Sequence, residues 1–305
     1  MARYHVIHET RYDYGSSVSL SHQMLHLVPR TSQWQNCLDY RLDVTPAPVW
    51  RKLGTDAFGN PVEWFAFYEP HEALHIRSEM HIEVHPHRID TLSDSIAWDA
   101  LAGRLTYRSG GHPDIDDLAA KRYLFESPHV RIKHELADYA DDCFTPGRPV
   151  LEATAALMEK IFTEFEFDPE ATTDTTPVLE VLKNKRGVCQ DFAHLMIACL
   201  RAKGLPARYM SGYLLTHPPA GQPRMVGADA SHAWVAVYAP GSGDGWIEFD
   251  PTNNLLPDTQ HITIAWGRDF SDVSPLRGVI LGGGGHEPEV AVTVTPLDDA
   301  TADTP

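Results

Sequence analysis

What the chain lacks narrows its function before any motif is read. No stretch is long and apolar enough to cross a membrane as a helix. Residues 1–14 alternate apolar with polar or charged side chains, so they read as a strand and not as the apolar core of a signal peptide. Positive charge is scarce, with 25 Lys and Arg against 42 Asp and Glu and a formal charge of −17. Such a surface repels phosphate backbones and anionic membranes, so neither nucleic acid nor a membrane is an expected partner. Cysteine is sparse as well: Cys37, Cys143, Cys189 and Cys199 fall without disulfide-framework or metal spacing, which fits a reducing cytoplasm. The run Gly282, Gly283, Gly284 and Gly285 lacks the lysine and helix of a phosphate-binding loop and reads as a linker or turn. There is no internal repeat, and no cofactor or metal is expected.

What is present suits a globular α+β protein. The chain has 305 residues, 43% of them hydrophobic, enough for two cores. Residues 1–88 read as a β-sandwich-like domain, with strand patterns at 4–14, 38–45, 62–67 and 74–84 and a turn at Asp56-Ala57-Phe58-Gly59-Asn60-Pro61. In the last strand Leu74, Ile76, Met80, Ile82 and Val84 take one face, and His75, Arg77, Glu79, His81, Glu83 and His85 the other. Residues 89–148 form a linker, closed by Gly110-Gly111-His112-Pro113, and a helical segment with patterns at 114–125 and 134–140. Residues 149–296 form a further unit, with helices over 149–166 and 178–184, strands over 207–215, 232–238 and 246–250, an irregular stretch over 251–275 and a final strand over 289–295. Residues 297–305 are an acidic, frayed tail.

The most informative stretch runs from Arg186 to Leu195. Phe192, Met196, Cys199 and Leu200 follow Cys189 at the spacing of one buried helix face, and Gly204 and Pro206 stop the helix. Gly187 is expected to let the backbone turn sharply into this helix, placing Cys189 in its first turn. There, unpaired N–H groups and the macrodipole favour thiolate over thiol. From this helix alone, Cys189 is as readily a nucleophile as a small buried apolar residue.

A nucleophilic cysteine needs a base, and the base needs an orienting group. Gly241-Ser242-Gly243-Asp244-Gly245 reads as a hairpin loop. His232 and Asp250 lie nine residues on either side of Gly241, so antiparallel pairing sets them opposite one another. Parity agrees, since His232 and Trp234 share a face and Asp250 shares one with Trp246. Taken singly, His232 is a strand-end histidine and Asp250 a turn residue before Pro251. Together beside Cys189 they make a triad.

Three separated segments carry a family resemblance. Gly187-x-Cys189-x-Asp191-x-Ala193 with Leu200-Arg201-x-x-Gly204-Leu205-Pro206-Ala207-Arg208-Tyr209-x-x-Gly212-Tyr213, then His232-Ala233-Trp234, then Trp246-x-x-Phe249-Asp250-Pro251-Thr252, together resemble the transglutaminase-like superfamily. The resemblance implies a papain-like core, in which a cysteine-bearing helix packs on an antiparallel sheet. It also implies Cys189 as nucleophile, His232 as general acid/base and Asp250 as the orienting partner. Residues 1–88, with the Asp56-x-x-Gly59-Asn60 turn, resemble the β-rich region that precedes this core in bacterial members. The family's side-chain contributor to the oxyanion hole matches no residue here; the Cys189 N–H is the expected donor, with Gln190 and Asn184 as candidates for a second.

The expected activity is acyl transfer on peptide or glutamine carboxamide bonds of a peptide or protein substrate. With water as acceptor the protein is a cysteine peptidase or amidase, the favoured reading. With a lysine amine it is a protein-glutamine gamma-glutamyltransferase. Two other classes compete, a binding scaffold without turnover and a zinc peptidase. The second rests on His71-Glu72-Ala73-Leu74-His75, which matches the two-histidine zinc pattern only if it is helical, whereas Leu74 already belongs to a strand. With 17 histidines, such spacing also arises by chance, as at His22 and His26.

Overall fold

The computed structural model describes residues 1–87, 89, 91–106, 114–216, 231–285 and 287–297. The expected linker at Gly110-Gly111-His112-Pro113 and the tail beyond Leu297 lie outside the described residues. Alternating side chains build β1 (Ala2–Leu25), β2 (Gln35–Thr45), β3 (Trp50–Thr55), β4 (Pro61–Phe67) and β5 (His71–Val84). Next come the helices α1 (Trp98–Leu105), α2 (Ile115–Ala120), α3 (His134–Ala140) and α4 (Val150–Glu164). Short strands β6 (Glu166–Phe167) and β7 (Arg186–Gly187) flank α5 (Val178–Asn184) and lead into α6 (Cys189–Ala202). The chain continues through β8 (Ala207–Leu214), β9 (Ser231–Tyr238), β10 (Trp246–Phe249), β11 (His261–Gly267) and α7 (Phe270–Val273), then β12 (Leu276–Gly282) and β13 (Glu289–Leu297).

The class is α+β, with two main antiparallel sheets. The first runs β2-β5-β1-β4-β3, with β12 and β13 also paired to β1. One part of β1 pairs with β5 and β13, and its later part with β4 and β12. Leu25, Leu42, Phe65, Phe67, Leu74 and Ile76, drawn from both parts, bury one another, which gives the sandwich-like interior. The buried face of β5 is the one its alternation foretells. The chain's last two strands, which the sequence places within 149–296, join this first sheet. Backbone pairing along β1 holds them there.

The second sheet runs β10-β9-β8-β11. Helix α6 packs on β9 and β8, with α3, α4 and α5 on its other sides, so Asp191 through Arg201 are all buried. The single apolar face expected for α6 is therefore too narrow a description. A helix covered all round is the central element of its domain. Its C-terminus follows expectation: Gly204 is left-handed at φ 77° and Leu205 N–H donates to Leu200 O at 2.9 Å.

The two sheets dock through Met80, Ile82 and Val84 against Tyr213, Leu215, Ile262 and Ile264. Strand β11 is an edge, and such an edge leaves backbone groups in need of partners. Two side-chain amides supply them. Gln35 accepts from Thr263 N–H (2.8 Å) and donates to Thr263 O (2.7 Å). Asn60, at the end of the Asp56 turn, accepts from Trp266 N–H (3.0 Å) and donates to Trp266 O (2.8 Å). The turn thus ties the first domain to the second.

Candidate active site

Cys189 is the first residue of α6, half-buried, with Val188 as the extended residue before it. At that position its N–H has no acceptor within the helix. Asp191 at the third helical position reaches back to accept from Val188 N–H (2.9 Å) and from Thr172 Oγ1 (2.6 Å), which fixes the start of the helix. Gly187 serves this contact through its lack of a side chain, not through an unusual turn. A Cβ there would lie 2.7 Å from Asp191 Oδ2 and 2.9 Å from Asp191 Cβ.

His232 lies near the start of β9 and Asp250 follows the end of β10. The register pairs Trp246 with Tyr238 and Phe249 with Val235, which sets Asp250 across from Trp234, so His232 and Asp250 are diagonal neighbours and not directly opposed. The slip of two residues preserves parity, because side chains alternate with period two. Both groups keep the same face, and His232 Nε2 lies 2.8 Å from Asp250 Oδ2. The Nδ1 atom is left for Cys189, with which His232 also hydrogen-bonds.

Burial opposes charge on His232, yet the hydrogen bonds with Asp250 and Cys189 and the charges of both outweigh it and raise His232 to about 9. Burial likewise opposes the Asp250 carboxylate. Hydrogen bonds from His232, His261 and Asn253 nevertheless hold it well below the usual carboxylate range. Backbone N–H groups of Thr252 (2.9 Å) and Asn253 (3.2 Å) donate to its other oxygen. Behind Cys189, Tyr209 is buried and packs on His194 with ring centroids 4.9 Å apart. Burial first, then the charges of Cys189, Asp269 and Asp191, raise its hydroxyl well above the ordinary value, so it stays neutral.

Two partners of Asp250 escaped the sequence reading. Asn253 Nδ2 donates to Oδ2 at 2.7 Å, and its nearness in sequence was the available signal. His261 Nε2 lies 3.1 Å from the same oxygen, reached from β11 in a stretch read as irregular. The nearest ligating atoms of His232, Asp250 and His261 lie within 4.8 Å of one another. We read them as a hydrogen-bonded set, because the two imidazoles and Asn253 already converge on Asp250 Oδ2. Gln190 is the second residue of α6 and Asn184 the last of α5, and among the described residues no hydrogen bond ties either to Cys189, His232 or Asp250. The zinc-like His71 and His75 lie in strand β5, where residues four apart are separated by about 13 Å, too far to share an ion.

Comparison with known proteins follows these two halves. Residues 4–83 match the model of the bacterial transglutaminase-like N-terminal region, and residues 137–251, which include Cys189, His232 and Asp250, match that of the transglutaminase-like superfamily. An uncharacterized protein of Mycobacterium tuberculosis is 40% identical over 302 residues, covering 97% of this chain and 93% of the relative. A protein-glutamine gamma-glutamyltransferase of Pseudomonas aeruginosa is 32% identical over 111 residues, covering 34% of this chain and 16% of that protein. The crystal structure of a candidate cysteine protease from Cytophaga hutchinsonii superposes with a TM-score of 0.75 at 24% identity, covering 98% of this chain and 92% of that one.

Proposed function

From the premise that this chain belongs to the transglutaminase-like superfamily, we propose that it is a thiol-dependent acyl-transfer enzyme acting on peptide or glutamine carboxamide bonds, with a peptidase or amidase outcome. The observation that carries the reading is the 2.8 Å contact between His232 and Asp250 beside a cysteine at a helix N-terminus. Asp250 favours the imidazolium and His232 in turn favours a Cys189 thiolate. The Cys189 sulfur attacks the carbonyl carbon, and the oxygen that gains the negative charge is placed to accept from the Cys189 N–H. As the carbon–nitrogen bond breaks, His232 passes its proton to the departing amine and leaves a thioester. Water then attacks the thioester with His232 as base, releasing the acid and restoring the thiolate–imidazolium pair.

Amine transfer is the second reading, favoured by the similarity to the Pseudomonas aeruginosa gamma-glutamyltransferase. The two outcomes diverge only at the acceptor. Mass spectrometry of a peptide library incubated with the enzyme, with and without a primary amine, separates them, since cleavage, deamidation and amine incorporation change mass differently. Wild-type products should vanish in Cys189→Ala, together with labelling by a thiol-directed electrophile. Identical behaviour of the two proteins, or stoichiometric labelling at another cysteine with Cys189 inert, would sink the proposal.

A further inference from the structure

Behind the Asp250 pair, where the first domain meets the far face of the second sheet, lies a cavity of about 60 Å³. Its wall is polar and unusually short of partners. Arg30 Nε, Trp34 Nε1 and His87 Nε2 from the first part of the chain, and Arg208 Nε and His261 Nδ1 from the second, are buried without a hydrogen-bond partner. Buried polar groups are ordinarily satisfied, and five such nitrogens around one space point to an occupant that would pair with them.

Arg30 and Arg208 are its cations, and Asp244, Glu248 and Asp258 also line it. The Arg30 guanidinium stacks 3.4 Å from the Trp266 ring centroid, and that of Arg208 lies 3.6 Å from Trp246 and 4.8 Å from Trp266. The stack fixes the forks and binds the domains together, but it leaves the Nε edges open. Arg30 donates to two neutral oxygens, Phe58 O and Asn60 Oδ1, and Arg208 hydrogen-bonds with the Tyr123 hydroxyl. Among the described residues neither guanidinium has a carboxylate within ion-pair distance. Glu248 and Asp244 line the wall but are turned to other partners, Glu248 to Trp234 Nε1 (2.6 Å) and Asp244 to Trp246 N–H (3.1 Å). Burial and then repulsion by Arg208 lower Arg30 to about 10 against the charges of Tyr123 and Asp56, and burial lowers Arg208 to about 10 against those of Tyr123, Asp244 and Glu248, so burial outweighs the compensation each cation receives.

We propose that this cavity is a binding site for a small oxyanion of the carboxylate or phosphate type, held between Arg30 and Trp34 of one domain and Arg208 of the other. Two guanidinium edges and an indole N–H converging from separate elements are the donor set such an anion requires. The volume admits a molecule of a few heavy atoms. Because both domains contribute, the occupant tightens the interface. The reading is independent of what Cys189 acts on.

The test is the thermal unfolding midpoint of the full chain, titrated with sodium acetate and, separately, with sodium phosphate, against sodium chloride at matched ionic strength. At least one oxyanion should raise the midpoint saturably, with half-saturation at about 1 mM or below, and the effective salt distinguishes carboxylate from phosphate. Arg208→Gln should weaken the effect about tenfold or more. Trp34→Phe keeps a six-membered aromatic ring but removes the pyrrole ring with its N–H and should also weaken it, which covers the case in which the arginine variant does not fold. A midpoint that rises equally with chloride, or oxyanion titrations that superimpose for wild type and Trp34→Phe, would overturn the site and leave a water-filled void.

Discussion

Strands β9 and β10 present two faces with opposite chemistry. Toward α6 point Ala233, Val235, Val237, Ile247 and Phe249, all in one apolar core with the helix. On the opposite face the intervening residues bear His232, Trp234, Glu248 and Asp250, joined by the Trp234–Glu248 and His232–Asp250 contacts, with His232 near the strand start, where it also meets Cys189 at the first turn of α6. The period of two separates them: every residue that anchors the sheet is flanked by one on the opposite face. Stability and proposed chemistry are thus assigned to alternate positions of the same few residues. Substitutions one position apart should have different consequences.

The largest expected effect is on the polar face. Asp250→Asn should lower kcat/KM by about 10³- to 10⁴-fold in an assay built on the library products, measured on protein that remains folded. A variant that does not fold at all would mean that Asp250 serves the fold first. Three residues away and on the opposite face, Ile247→Ala should cost about 2–5 kcal/mol in denaturant unfolding while the folded enzyme keeps its turnover. A selective fall in kcat would erase the distinction between the faces.

The pH dependence of stability sharpens the contrast on the polar side. His232 is raised to about 9 from an ordinary 6.5, so the stabilisation from its charged form is complete below about 6.5 and disappears as pH rises through about 9. Asp250 is shifted the other way, and its contribution, present above 3.8, is lost on acidification. Unfolding midpoints measured across the alkaline window should decline in wild type and decline less in Asp250→Asn. Equal slopes would remove His232 as the cause. The smallest effect is expected at His261→Gln, which takes one donor from Asp250 and leaves His232 in place: a loss of about tenfold in kcat/KM with the alkaline decline retained. An unchanged rate would make His261 a packing residue only.

Much of the candidate site was legible because it rests on local periodicity. The α6 spacing placed Cys189 at a helix start, and strand parity placed His232 and Asp250 on one face even though the register differs by two. Elements held by remote partners were not legible. Strand β12 is largely exposed and held by pairing with β1, so it shows no apolar alternation. In β11 a bulge between Thr263 and Ala265 breaks the period and hides His261. Helix α1 buries only Leu101 and Leu105, too few for a pattern. Asn60 reads as an ordinary turn residue, and Gln35 lies outside the strand expected over 38–45, until β11 lies beside them.

The sequence by itself determined which short segments are helix or strand, which side of each is apolar, and hence the cysteine at a helix start and the histidine and aspartate on a common sheet face. Periodicity is written within a dozen residues and needs no distant partner. Only the tertiary structure decided that β12 and β13 close the first sheet, that His261 joins Asp250, and that Arg30 and Arg208 meet across a cavity. Those contacts join residues far apart in the chain, and their energies depend on which surfaces the packed domains bury together.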